Sequence, residues 1–219
     1  NENPELLKQS VEILSKIQTA HIPQIDKLDE ESLMMQMETI QSIFLEKFLS
    51  CKKLKELETL QARAFSKLSE QPWMNCHFDF ERRNLMVDSS HEIAVIDFQD
   101  LCIGPVGIDL AGIIVDHYIS YSDQLIDNAL KHYVQCLQLD VSVKDVNEWL
   151  RWGGIQRNMR ILGTLSNLYI QDNRTFRLKD LPGILENLIT LIPNDEFMSL
   201  KEHLSSAVMP KLHEELEAL

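Results

Sequence analysis

Residues 76–100, CHFDFERRNLMVDSSHEIAVIDFQD, constrain this chain more than any other stretch. Leu85-Met86-Val87 and Ile93-Ala94-Val95-Ile96 are short apolar runs rich in strand formers. Between them Asp88-Ser89-Ser90-His91-Glu92 carries turn chemistry, so the pattern predicts a β-hairpin. With a symmetric loop of even length, Asp88 faces Ile93, Val87 faces Ala94 and Leu85 faces Ile96. Asn84 then falls opposite Asp97, with the backbones about 5 Å apart. A loop of odd length slips the pairing by one residue and still leaves Asn84 and Asp97 as neighbours.

The residue types suit a particular chemistry. Magnesium is a hard cation that takes one or two protein oxygens and keeps its other positions for water and phosphate. Asn84 and Asp97 match that count. Asp79, in the loop leading into the first strand, can stay off the metal, orient a hydroxyl and accept its proton as a phosphoryl group moves. A lone aspartate in a hairpin is usually a turn residue, and an isolated His-x-Asp is common. It is the joint pattern that points to phosphoryl transfer.

The spacing His77-x-Asp79-x-x-x-x-Asn84 resembles a kinase catalytic loop, and Asp97-Phe98-Gln99 stands where a kinase carries Asp-Phe-Gly, with Gln99 in place of the glycine. The fuller run His77-Phe78-Asp79-Phe80-Glu81-Arg82-Arg83-Asn84-Leu85-Met86-Val87, with Ile96-Asp97-Phe98-Gln99-Asp100-Leu101, resembles the aminoglycoside phosphotransferase and choline kinase superfamily. Within it, the run is most similar to the bacterial anomeric kinases of N-acetylmuramate and N-acetylglucosamine, which serve peptidoglycan recycling. Gly104-Pro105 and Asp109-Leu110 continue the likeness; Phe78, Glu81 and Arg82 depart from it. The resemblance implies an α+β, predominantly helical fold: the C-terminal lobe of a protein-kinase-like fold, with a small β-hairpin carrying the catalytic and metal-binding residues. It further implies ATP as co-substrate and Mg2+ on its phosphates. Asp79 and His77 would be the catalytic pair, with His77 supporting the loop, and Asn84 and Asp97 the metal ligands. Arg83, Gln99, Asp100 and Asp109 would support the site or touch substrate. Asp109 would brace the catalytic loop from behind, although its place in the first turn of a helix is a sufficient structural reason for a carboxylate.

Composition narrows the partners. A net charge of −13 argues against a nucleic-acid binder, which needs a basic face for phosphates. It would suit a polycationic aminoglycoside, but an acidic surface is the simpler explanation. Cys51, Cys76, Cys102 and Cys136 show neither disulfide nor zinc-site spacing and read as reduced thiols of a cytoplasmic protein. No apolar run reaches transmembrane length, so no membrane partner is expected. The chain has only seven glycines and shows no glycine-rich nucleotide loop, and it opens at Asn1 close to a helix. The expectation is a single domain, residues 1–219, whose nucleotide-binding N-terminal lobe belongs to the same parent protein and is absent from this chain.

Around the hairpin the periodicity predicts helices over residues 4–20, 30–49 and 54–68, a strand from residue 73 delivering the chain into residues 73–100, and helices over 108–118, 122–137, 142–170, 181–192 and 195–216. Residues 103–107 read as a turn. Asp116 and His117 fall on a helix, exposed or satisfied. Gly153-Gly154 inside a helix costs about 1 kcal/mol per glycine relative to alanine, which implies close packing or a bend there. Arg151, Arg157 and Arg160 make the same helix basic. A solvated face is the ordinary explanation; the alternative is that Gln156 or Arg157 faces the substrate cleft, where a guanidinium could hold a sugar acid's carboxylate.

The leading hypothesis is therefore an ATP-dependent small-molecule kinase acting on an amino sugar, with an aminoglycoside as the second choice of acceptor. A non-catalytic binding lobe and a metal-dependent hydrolase are its rivals.

Overall fold

The computed structural model describes residues 3–89 and 92–219. They fall into two compact units, residues 1–28 with 67–154 and residues 29–66 with 155–219.

The first unit begins with α1 (Pro4–Thr19). The Asn3 side chain accepts from the Leu6 amide at 3.1 Å, and Pro4 occupies the first turn, where no amide hydrogen is needed. Leu7, Val11 and Leu14 form its buried stripe. The helix stops where Asn75 reaches it: the Asn75 amide donates to the carbonyls of Ile17 (2.8 Å) and Ala20 (2.7 Å). Asn75 lies on β1 (Trp73–Cys76), which pairs antiparallel with a later strand, Cys102–Pro105, in the register Trp73↔Pro105 and Cys76↔Cys102. Between them β2 (Leu85–Val87) and β3 (Ile93–Val95) make the predicted hairpin, and Cys102–Pro105 is β4.

Residues 103–105 are thus strand and not turn. Ile103 donates to Asp26 (2.7 Å) and accepts from Leu28 (2.9 Å), so the segment before residue 29 occupies the second edge of β4. Both backbone groups of Ile103 are satisfied on that edge, and Pro105, which lacks an amide hydrogen, closes the strand. The hairpin register is the odd-loop alternative: Leu85 faces Val95, Met86 faces Ala94 and Val87 faces Ile93. Asp88 and Glu92 close it, amide to carbonyl at 2.9 Å one way and Glu92 amide to Asp88 carboxylate at 2.9 Å the other.

Three further helical stretches complete the first unit: α4 (Gly107–Ile114), α5 (Asp123–Leu137) and residues 143–154 of α6 (Val143–Asp172). Helix α4 ends four residues before the 108–118 span predicted from sequence. Val115 leaves helical geometry (φ −96°, ψ 66°), and the following segment is irregular. Leu7, Val11 and Leu14 share a core with Phe80, Leu110, Tyr133 and Leu137. Tyr133 donates its hydroxyl to Gln18, whose amide donates to the Val106 carbonyl at 3.2 Å, so the polar groups buried in this core satisfy one another. Ser142 and Asp145 cap each other at the start of α6 (Ser142 amide to Asp145 at 2.9 Å, Asp145 amide to the Ser142 hydroxyl at 3.2 Å).

Of the glycine pair expected to mark close packing or a bend, Gly153 marks close packing. A β-carbon on Gly153 would lie 2.1 Å from the carbonyl carbon and oxygen of Gly107, and one on Gly107 would lie 2.0 Å from the Trp149 carbonyl oxygen. Backbone meets backbone where α4 starts.

In the second unit, α2 (Glu30–Thr39) is capped by Asp29, which accepts from the Ser32 amide at 2.7 Å. It continues over Ile40–Phe48 with π-type winding, so the helical extent matches the predicted 30–49 while the turn widens; the Leu49 amide bonds to the Phe44 carbonyl at 3.0 Å. The unit also holds most of α3 (Lys55–Ser69), residues 155–172 of α6, α7 (Leu181–Leu191), α8 (Asn194–His203) and α9 (Met209–Glu217). The single helix expected over 195–216 is broken by a kink at Phe197 (φ −133°) and by π-type winding over Leu204–Val208. The basic face expected on α6 is not solvated at Arg157, which is buried along with Gln156 and Asn158. No helix of the described residues is long and apolar enough to cross a membrane.

Substituting Gly153 by alanine forces a methyl group into the Gly107 backbone. It is expected to destabilise the protein by about 3 kcal/mol, which lowers the melting temperature by about 6–12 °C for a chain of this size. Thermal denaturation followed by circular dichroism measures it, and an unchanged melting temperature would contradict the packing described.

Candidate active site

The loop from His77 to Asn84 is built around one buried carboxylate. Asp109, in the first turn of α4, accepts from two consecutive backbone amides: His77 to Oδ2 at 2.6 Å and Phe78 to Oδ1 at 2.8 Å. It is 1% exposed. Phe78 sits at φ +69°, a left-handed conformation that costs a residue with a β-carbon about 1–2 kcal/mol. The two bonds to Asp109 hold it there. Burial pushes the Asp109 carboxyl above its usual range, while the two amides and the Cys76 thiol pull the other way.

His77 is buried and packs edge-on against Phe80, with ring centroids 6.0 Å apart. Its Nε2 lies 3.1 Å from the Ile96 carbonyl oxygen. A carbonyl only accepts, so Nε2 carries the proton and Nδ1 faces a buried site with no hydrogen-bond partner among the described residues. The ring thereby ties the loop to the end of β3.

Asn84 closes the other end of the loop. Its amide Nδ2 donates to the Asp79 carbonyl at 2.8 Å, its backbone amide donates to Glu81 at 2.9 Å, and its carbonyl accepts from Ile96 at 3.0 Å. With Nδ2 so committed, Oδ1 is the atom left for a cation. The Ile96–Asn84 bond extends the hairpin one step past its last strand pair and places Asp97 next in line. Asp97 is exposed, has φ +69°, and makes no hydrogen bond or ion pair among the described residues. Asp79 is half-buried. The closed loop thus sets Asn84 beside the Asp79 main chain, and the Ile96–Asn84 bond makes Asn84 a backbone neighbour of the residue before Asp97.

An uncommitted carboxylate beside an amide with a free oxygen suits Mg2+ that also takes phosphate oxygens. Among the described residues no group of three or more His, Cys, Asp or Glu side chains could hold a metal by itself. A site completed by a nucleotide's phosphates needs none.

The remaining expected residues separate. Arg83 pairs with the carboxylate of Glu81, which is buried. Gln99 and Asp100 are exposed in the turn closed by the Leu101 amide on the Phe98 carbonyl (3.2 Å). Gln156 and Arg157 are both buried in the second unit, with the Gln156 amide donating to Gln36 at 2.9 Å.

Sequence reasoning passed over two features. Cys76 lies wholly buried beside the Asp109 carboxylate, opposite Cys102 across the β1–β4 ladder. Arg82 pairs with Asp116 (3.6 Å), whose side chain is 5% exposed although it was expected on an open or satisfied helix face. The departures at Glu81 and Arg82 were the available signal: both are charged residues that now sit in ion pairs.

Residues 1–140 match the model of a family described as the phosphotransferase enzyme family. Among curated proteins, the chain is 28% identical over 126 residues to an N-acetylmuramate/N-acetylglucosamine kinase of Neisseria meningitidis, a match covering 55% of this chain and 37% of that protein. It is 29% identical over 143 residues to the enzyme of the same name in Pseudomonas aeruginosa, covering 63% and 42%. The matches thus span less than half the length of these curated relatives. Among solved structures, a choline kinase from Streptococcus pneumoniae superposes with a TM-score of 0.57 at 15% identity, covering 85% of this chain and 64% of that one. That likeness shows the protein-kinase-like fold expected from the sequence.

Replacing Asp109 by asparagine turns one acceptor into a donor facing an amide. It is expected to cost about 2–4 kcal/mol of stability, read from chemical denaturation; a loss below about 0.5 kcal/mol would show that the two amides do not depend on it. Burial also pushes the Cys76 thiol well above its ordinary range. The stability held in the neutral thiol is full below the unfolded-state value of about 8.5 and is lost as the pH rises toward the folded one. Native alkylation at pH 8 followed by mass spectrometry should leave Cys76 unmodified until the protein is unfolded, and labelling of Cys76 at the rate of Cys51 would contradict this.

Proposed function

The chain belongs to the phosphotransferase enzyme family, and from that premise we propose that its parent protein transfers the γ-phosphoryl group of ATP to a hydroxyl of an amino sugar of the N-acetylmuramate or N-acetylglucosamine type. The observation that supports this reading is the closed loop between Asp79 and Asn84, in which the Asn84 amide holds the Asp79 carbonyl, joined to the hairpin end just before Asp97 by the Ile96–Asn84 bond.

In this reading Asp79 accepts a hydrogen bond from the acceptor hydroxyl, aligns its oxygen with the γ-phosphorus and takes its proton as the new oxygen–phosphorus bond forms and the bond to the β-phosphate oxygen breaks. Asn84 through Oδ1 and Asp97 through its carboxylate hold Mg2+, which when bound neutralises charge on the transferring phosphates. His77 fixes the loop against β3, and Asp109 fixes the two amides that aim Asp79. A nucleotide-binding N-terminal lobe of the same parent protein completes the site.

The choice of amino sugar rests on the two curated relatives, whose names specify that acceptor. An enzyme of this kind would act in the cytoplasm on sugars released from peptidoglycan. The acidic composition would also accept an aminoglycoside, so the decisive assay offers both classes of acceptor to the full-length protein with labelled ATP. An acid-labile sugar phosphate marks transfer to the anomeric hydroxyl. Replacing Asp79 by asparagine should lower kcat by ~10²–10⁴-fold with nucleotide affinity unchanged. Turnover near the wild-type rate would reject the role given to Asp79, and phosphate release with no phosphorylated acceptor would favour a hydrolase.

A further inference from the structure

Helix α4 gives way early, at Val115, to an irregular segment. Asp116 is nearly buried, its side chain 5% exposed. One oxygen, Oδ1, accepts from the Tyr118 amide at 2.8 Å. The other lies 3.6 Å from Arg82 Nε, too far for a hydrogen bond, and has no hydrogen-bond partner among the described residues. A buried carboxylate oxygen left short of partners is a stabilising opportunity forgone, and such sites tend to be kept for positioning.

What Asp116 positions is Tyr118. The tyrosine is 49% exposed, yet its backbone is pinned by Asp116 and its ring lies against His117, with centroids 4.0 Å apart. Arg82 anchors Asp116 to the catalytic loop three residues after Asp79. The next residue, Arg83, is paired with Glu81 and has Tyr118 and Asp79 within electrostatic range. An aromatic face is therefore held out to solvent beside the catalytic loop to which Arg82 belongs.

We propose that Tyr118, held by Asp116 and Arg82, is a specificity-determining residue that packs its ring against the acceptor sugar while Asp79 engages the sugar's hydroxyl. The C–H bonds on one face of a pyranose are weakly positive and apolar, which suits the negative face of an aromatic ring. A ring whose backbone is already held loses less conformational entropy when the sugar arrives. Asp116 acts through Tyr118 and is a positioning residue; it touches no substrate atom. This inference rests on the amino-sugar kinase reading and refines where that enzyme holds its acceptor.

The test uses the full-length protein with N-acetylglucosamine and ATP. Tyr118→Ala should raise KM for the sugar about 10-fold, with kcat and the nucleotide Kd within about 3-fold, in line with the loss of a single aromatic contact. Tyr118→Phe keeps the ring and should bring the sugar KM back to within about 3-fold of wild type. Asp116→Ala should raise the sugar KM as Tyr118→Ala does, and the double variant should add little to either single one, because both remove the same contact. An unchanged sugar KM in Tyr118→Ala, or a loss carried by kcat or by nucleotide affinity, overturns the proposal. So does a double variant whose effects multiply. Wild-type protein that phosphorylates no amino sugar rejects the functional reading itself, and this inference with it; active wild type with an indifferent Tyr118→Ala rejects this inference alone.

Discussion

One carboxylate, Asp109, sets the conformation on which the rest of the site depends. Its two oxygens receive the amides of His77 and Phe78, and the second of these belongs to a residue in left-handed backbone geometry. A bulky aromatic residue adopts that geometry only when its surroundings impose it. Here the imposing group is shielded from water, where a hydrogen-bonding group left unfilled is expensive. The chain is thereby turned sharply between β1 and Asp79. The Asp79 carbonyl is then caught by Asn84, and the Asn84 carbonyl by Ile96. Each bond in this sequence assumes the one before it.

Left-handed backbone occurs again at Asp97, the residue just beyond the hairpin's last bond. Two such positions, one on each side of the same small ribbon, bracket the side chains assigned to phosphate chemistry. Asp97 is exposed and uncommitted, whereas Asp109 is buried and fully used. The contrast separates a carboxylate available to an incoming ion from one that holds the frame.

The hairpin was legible because strand formers and turn residues alternate cleanly, and because Asn84 and Asp97 stay adjacent in either register. Which register applies was not legible, since it turns on how Asp88 and Glu92 bond to each other across the loop. The helix extents were mostly readable from periodicity. The end of α4 was not: residues 115–118 continue an apolar pattern, but Asp116 finds Arg82 and the Tyr118 amide, and those partners lie outside any local rule. The strand at residues 103–105 was missed for a similar reason, because Gly104-Pro105 carries turn chemistry while the ladder partners are residues 73–75 and Asp26. Arg157 looked like a member of a solvated basic stripe, and only its tertiary surroundings show it to be buried.

The Gly107–Gly153 contact bears on how such a site can diversify. It joins two stretches of main chain with no side chain between them to shrink, swing or repack. Asp109 sits two residues along from it, so the inner wall behind Asp79 is mechanically stiff. The outer rim is made of long charged side chains such as Arg82 and Arg83, which can be exchanged without moving that wall. Novelty in what is recognised can therefore accumulate at the mouth of the site, while the reaction geometry beneath it is inherited unchanged.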